Sequence, residues 1–174
     1  LMKARDSADA ALVMDAGYPP GIVNRGIIYE KQGMIKEADR YYRRAIKRDE
    51  KYPMGHYQLG LLRLKQKRTD VAKLHFERAV KADSHFAPAY NELGLIQIEE
   101  ENFKEALRLF NRAVIVDDRY GPAYYNMAGA WIALNEYSKA ASAYNRYLEL
   151  TDEPEDMKEI ITRIKILLAA DAGK

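Results

Sequence analysis

The chain has 174 residues, 48% of them apolar and 31% charged, a composition that folds rather than staying disordered. Cysteine is absent, which excludes disulfides, thiol nucleophiles and cysteine-held zinc or iron–sulfur centres, and no apolar run approaches the ~18 residues of a membrane span. The net charge of +2 conceals a split, because residues 1–87 carry 18 Lys/Arg against 11 Asp/Glu whereas residues 88–174 carry 10 against 15.

In chain order, Ala4, Ala8 and Ala11 recur at helical spacing and predict one helix over residues 4–17. From Pro19 onward the sequence echoes itself every 34 residues. Gly26, Gly60 and Gly94 share a column that continues in Ala128, and Ala38, Ala72, Ala106 and Ala140 form a second. Ala45, Ala79 and Ala113 form a third, which Tyr147 ends. Tyr42, Phe76, Phe110 and Tyr144 make an aromatic column, and Arg44, Arg78, Arg112 and Arg146 a basic one. Tyr18, Tyr52, Phe86 and Tyr120 stand just before the units 19–52, 53–86, 87–120 and 121–154. Each unit predicts two helices of about 12 to 15 residues around a polar turn. In the third, the first helix is expected from Pro88 to Glu101, a turn near Asn102, and the second helix from Lys104 to Val116. Its apolar residues Leu93, Ile96, Leu107, Phe110 and Val114 keep helical spacing, and no period-two pattern predicts a sheet. Gly94 inside a helix costs about 1 kcal/mol relative to alanine, so a close approach of another helix is expected to offset it. Beyond the fourth unit, Met157, Ile160, Ile161, Ile164, Leu167 and Leu168 make an i, i+3, i+4 stripe, with Asp156, Lys158, Glu159, Arg163 and Lys165 off it.

These columns resemble the tetratricopeptide repeat: a small residue in the first helix, two in the second, and an aromatic between them. The stretch "YNELGLIQIEEENFKEALRLFNRAVIVDD" is close to that pattern, and the resemblance covers residues 19–154. It implies an all-α, right-handed superhelical solenoid of antiparallel helix pairs, with residues 1–18 as the second helix of a partial upstream repeat and 155–174 as a C-terminal capping helix and tail. A repeat buries its apolar side only against neighbours, so the capping helix seals the last one. Arg25 stands where the family usually has an aliphatic residue, and Arg63 and Gln97 replace an aromatic that Tyr29 and Trp131 keep. Tyr147 replaces the small residue that admits the next repeat, predicting that the helix after it is not an ordinary repeat helix.

Little in the sequence points to catalysis. His56, His75 and His85 fall in different columns with no carboxylates spaced to join them as metal ligands, so they are expected to be satisfied surface or groove residues. Ser84 beside His85 in "DSHF" lacks the oriented base a nucleophile needs and falls in an inter-repeat turn. The glycines are solitary, so no phosphate loop forms, and "DEPED" at 152–156 reads as carboxylates at a helix start rather than a calcium loop. The basic runs "YYRRAIKR" and "RLKQKR" are bounded by Asp39, Asp49 and Asp70, which disfavours nucleic acid. No catalytic residue, metal or cofactor is expected.

The resemblance implies protein–protein interaction, with first helices lining a concave groove that holds a peptide segment. Asn24, Gln58, Glu92 and Asn126 contribute one groove residue per first helix; the three amides both donate and accept hydrogen bonds and form a ladder suited to an extended backbone. Tyr57, Asn91 and Tyr125 flank the ladder together with Val23, and Ile27, Leu61, Leu95 and Gly129 lie beyond. Lys31 and Lys65 give way to Glu99 and Ala133, so the groove is expected to be more basic toward the N-terminus. The family's carboxylate clamp is disfavoured, because its columns hold Val23, Ile27, Gln58, Pro88 and Glu92 instead of basic residues and asparagines. Two further readings stay open: self-association, a homo-oligomer formed through the N-terminal repeat face, and a targeting arm of a larger enzyme. Neither the partner nor the compartment is legible.

Overall fold

The computed structural model describes residues 18–151 and 157–172. Among them are nine α-helices and no strand: α1 Pro19–Lys31, α2 Ile35–Arg48, α3 Pro53–Lys65, α4 Thr69–Ala82, α5 Ala87–Glu99, α6 Phe103–Val116, α7 Gly121–Ala133, α8 Tyr137–Leu150 and α9 Met157–Ala172. The helix expected over residues 4–17 and the "DEPED" segment lie outside the described residues.

The chain divides into two compact units, Leu1–Phe86 and Ala87–Lys174. In the first, α1 packs on α2, α2 on α3, α3 on α4, and α1 also meets α3. In the second, α5 packs on α6, α6 on α7, α7 on α8, α8 on α9, and α5 meets α7. The small-residue columns make the first three pairings close. A Cβ built on Gly26 would lie 2.7 Å from Cδ1 of Tyr42, one on Gly60 2.8 Å from Cδ1 of Phe76, and one on Gly94 2.7 Å from Cδ1 of Phe110. All three rings are fully buried, so each glycine's helix cost is offset by packing an aromatic edge onto bare backbone. The fourth pair keeps the plan with Ala128 and Tyr144, both buried.

Each pair turns through the same backbone device. Gly33, Lys67, Glu101 and Asn135, 34 residues apart, adopt left-handed φ values of 76°, 58°, 58° and 59°. Their N–H groups bond to Glu30, Leu64, Ile98 and Ile132, and the following N–H groups bond back to the carbonyls of Tyr29, Arg63, Gln97 and Trp131 at 2.8–3.0 Å. That paired pattern closes the orphan carbonyls at a helix C-terminus. The first helix of the third unit therefore ends at Glu99 rather than Glu101, and the second begins at Phe103 rather than Lys104. Between pairs, Asp49, Asp83 and Asp117 accept the backbone N–H two residues on, which makes the return turn.

The polar departures from the aromatic column pair locally. Arg63 is only 3% exposed; it donates to Gln66 at 3.0 Å and forms an ion pair with Asp39, which Arg43 also engages at 2.7 Å. Burial would raise the Asp39 carboxyl, but the hydrogen bonds and charges of Arg63 and Arg43 outweigh it and hold it below its usual range. Gln97, also buried, donates to Glu100 at 2.6 Å and accepts from Asn102 at 3.3 Å.

α9 buries Ile160, Ile164 and Leu167 in a cluster with Ala140, Ala141, Ala143 and Tyr144 of α8. The stripe is narrower than expected, since Ile161 and Leu168 are exposed. α9 packs against α8, and one neighbour covers only a narrow strip of a helix. Tyr147 turns back onto Tyr125, with ring centroids 5.3 Å apart.

Candidate functional site

The first-helix residues singled out by the repeat pattern meet different fates in the two units. In the first, Asn24 and Lys31 are exposed on α1. Gln58 is half-buried on α3, its amide 3.7 Å from the sulfur of Met54 one turn earlier. Tyr57 is half-buried and packs edge-on against Phe86 at 5.4 Å and tilted against Phe76 at 5.9 Å. Lys65 is 67% exposed at its side chain but pairs with Glu30 at 2.5 Å, whose other carboxylate oxygen accepts from Tyr42 at 2.6 Å. Burial, and then that hydrogen bond, push the Tyr42 hydroxyl far above its ordinary range.

In the second unit the polar residues form a chain. Asn126 on α7 donates to the Oδ1 of Asn91 on α5 at 2.8 Å, and Asn91 donates in turn to Glu92 at 3.4 Å. Asn91 is only 3% exposed, so its main part here is to hold Asn126 and Glu92 rather than to present a surface. Glu92 is half-buried, and burial raises its carboxyl against the opposing hydrogen bond from Asn91. No Lys or Arg among the described residues forms an ion pair with it. Tyr120 lies close enough that burial, then the charges of Glu92 and Asp117, push its hydroxyl up to about 12. Tyr125 is half-buried, held edge-on by Tyr144 at 5.5 Å and by Tyr147. The unit thus presents a rigid aromatic, an amide and a carboxylate without a counter-cation.

The histidine expectation is corrected. His56 on α3 and His75 on α4 are buried, not surface residues, and their Nδ1 atoms stand 3.4 Å apart. Two columns that look unrelated in sequence meet because the helices of one pair are antiparallel neighbours. Burial lowers both pKa values: His56 is lowered further by the Arg78 charge against a small opposing effect of Glu50, and His75, by His56 and nearby arginines, falls to about 4. His85 is exposed, 3.5 Å from Ser84 Oγ, while the Asp83 carboxylate is committed to the turn.

A second arrangement escaped the sequence reading. The arginine column of the second helices reaches over the fourth residue of the first helices, with the Arg112 guanidinium 5.7 Å from the Tyr90 ring and that of Arg146 5.9 Å from the Tyr124 ring. The signal was present as two parallel columns, Ile22, His56, Tyr90, Tyr124 and Arg44, Arg78, Arg112, Arg146, whose helical phases bring them together.

Three family models of the tetratricopeptide repeat match residues 19–52, 57–122 and 97–164. Among curated proteins no sequence match is found. Solved structures share the fold. PilF of Pseudomonas aeruginosa is 18% identical with a TM-score of 0.76, over 97% of this chain and 71% of that one. YrrB, described as a TPR protein with an unusual peptide-binding site, is 22% identical with a TM-score of 0.61, over 90% and 79%. The first TPR of Spaghetti (RPAP3), bound to the HSP90 peptide SRMEEVD, is 23% identical with a TM-score of 0.64, over 70% and 98%.

Proposed function

From its membership of the tetratricopeptide-repeat family, to which this chain belongs, we propose that the protein is a non-catalytic interaction module that captures an extended segment of a protein partner on its first helices. The observation that carries this reading is the Asn126–Asn91–Glu92 chain. It holds an amide and a half-buried carboxylate beside the rigid Tyr125, and among the described residues no cation pairs with that carboxylate. A partner supplying backbone groups to the amides and a Lys or Arg side chain to Glu92 completes both. Asn24 and Gln58 offer the same amide chemistry in the first unit, and the exposed Lys31 and Lys65 place positive charge there. YrrB and the RPAP3 domain, described in their structures as peptide-binding, support the class of function by analogy.

The test uses peptides selected from a displayed random library on the intact protein. Asn24, Gln58 and Asn126 changed together to alanine should weaken the selected peptides at least about tenfold, since each amide hydrogen bond contributes about 0.5–1.5 kcal/mol. Helicity should not change. Unaltered affinity rejects the ladder.

A second reading, self-association, is favoured by the opposite net charges of residues 1–87 and 88–174. Light scattering that finds a strict monomer at every concentration rejects it.

A further inference from the structure

A cleft of about 490 Å³ in the first unit is bordered by the C-terminal ends of α2 and α4 and the start of α3. Its floor includes Ile46 and the buried His56; its rim carries Lys51, Arg78 and Lys81 against a single carboxylate, Glu50. The repeat plan explains why it is open. At the same place in the next two repeats the arginine covers a tyrosine, Arg112 over Tyr90 and Arg146 over Tyr124. Here the tyrosine is replaced by His56, whose Nδ1 is turned to His75, and among the described residues Arg78 makes no hydrogen bond or ion pair. The side chains of Lys51 and Lys81 make none among the described residues either. Beyond burial, the Arg78 charge lowers the His56 pKa and Glu50 opposes it, while His75 stands beside the ring.

Three unpaired cations around a concave, partly apolar floor form a receptor for negative charge. We infer that this cleft docks an Asp/Glu-rich segment of a partner protein, separately from the first-helix ladder. Carboxylates engage Arg78 and Lys81 from α4 and Lys51 from the turn, while the aliphatic stems of acidic residues rest on Ile46. An acidic peptide is favoured over a small anion because the cations ring a cleft large enough for several side chains rather than converging on one point. It is favoured over nucleic acid because Glu50 lies on the same rim and the one ring in the lining, His56, is buried and turned to His75, with no Phe, Tyr or Trp there for stacking.

The probe is hexaglutamate, titrated by calorimetry into the intact protein while the His56 ring proton is followed by NMR. Saturable binding that shifts the His56 resonance is expected, weakened at least tenfold in R78Q/K81Q and weakened further by salt. The substituted side chains are exposed and unpaired, so circular dichroism should show an unchanged fold. H56Y offers a second variant: it restores the tyrosine under Arg78 and should weaken the peptide without removing a charge. The Asn24, Gln58 and Asn126 triple-alanine variant should bind hexaglutamate as the parent does, so failure of the ladder and failure of the cleft are read separately. The assignment is overturned by absent binding, by binding that R78Q/K81Q leaves intact, or by inorganic phosphate or a single-stranded RNA oligomer competing at concentrations equal to or below that of the peptide.

Discussion

Replacing Gly94 by alanine tests the packing logic most directly, because two opposing effects of known size meet there. In an exposed helix the change would stabilise by about 1 kcal/mol. At this position the new methyl would lie 2.7 Å from Cδ1 and 2.9 Å from Cζ of Phe110. The ring is fully buried on the helix paired with α5, so relieving the overlap requires the ring to shift or α5 and α6 to separate. Overpacking of that kind costs about 1–3 kcal/mol. The clash is at the upper end, since three ring atoms are met at once, and the expected net loss is about 1–2 kcal/mol. With a urea slope of roughly 2 kcal/mol per molar for a chain of this size, the midpoint should fall by about 0.5–1 M. Gly129→Ala is the internal control: it is also within a first helix, but a Cβ there meets nothing within 4 Å, so the midpoint should rise. In a Phe110→Leu background the Gly94→Ala penalty should shrink or change sign, a coupling measured by a double-mutant cycle. A midpoint for Gly94→Ala that is unchanged or raised, or strict additivity with Phe110→Leu, refutes the account.

Two other outcomes follow from the same structure. His75 titrates at about 4 in the folded chain against an ordinary value near 6.5, and His56 is lowered as well, so the unfolded state takes up these protons first. Stability is then full above pH ~6.5 and declines as pH falls toward 4, by roughly 3 kcal/mol from His75 with His56 acting in the same direction; urea unfolding of the parent and of His75→Gln should show a clearly shallower decline in the variant, and equal slopes would remove the buried pair as the cause. Glu101 holds a left-handed φ of 58°, which costs a side-chain-bearing residue about 1 kcal/mol or more. Glu101→Gly should raise the midpoint by roughly 0.5–1 kcal/mol of stability, and Asn135→Gly by less because asparagine tolerates that region, with thermal unfolding as the check.

The repeat period was legible because packing acts on side chains, and a small residue facing a ring is written directly into the sequence. Gly94 and Phe110, or Ala106 and Ala113, could be placed from spacing alone. The turn device was not legible: its column reads Gly33, Lys67, Glu101, Asn135, and only the ends of that series prefer a left-handed backbone. There the hydrogen bonds of the closing turn override the residue's own preference. The two histidines were misread for a related reason. Repeat columns run along the chain, whereas His56 and His75 meet across a pair, 19 residues apart. Sequence position put Asn126 and Glu92 on first helices but gave no hint that Asn91 would be buried between them, since a hydrogen bond spanning 35 residues depends on how α5 and α7 lie together.

The pairing of each small residue with its own ring sets a rule for how such a gene can be cut and rejoined. Crossovers falling before Pro53, Ala87 or Gly121 move a helix pair as one cassette, and Gly60 travels with Phe76, Gly94 with Phe110, Ala128 with Tyr144. A crossover in the turn within a pair breaks that partnership. Joining α7 to α6 would set the methyl of Ala128 where Phe110 tolerates only hydrogen, and joining α5 to α8 would leave Tyr144 facing a gap. Duplication and deletion by whole cassettes are therefore conservative, whereas a crossover within a pair that exchanges helices between the fourth unit and the others mismatches the core. The 34-residue period is in this sense a unit of inheritance as well as of architecture.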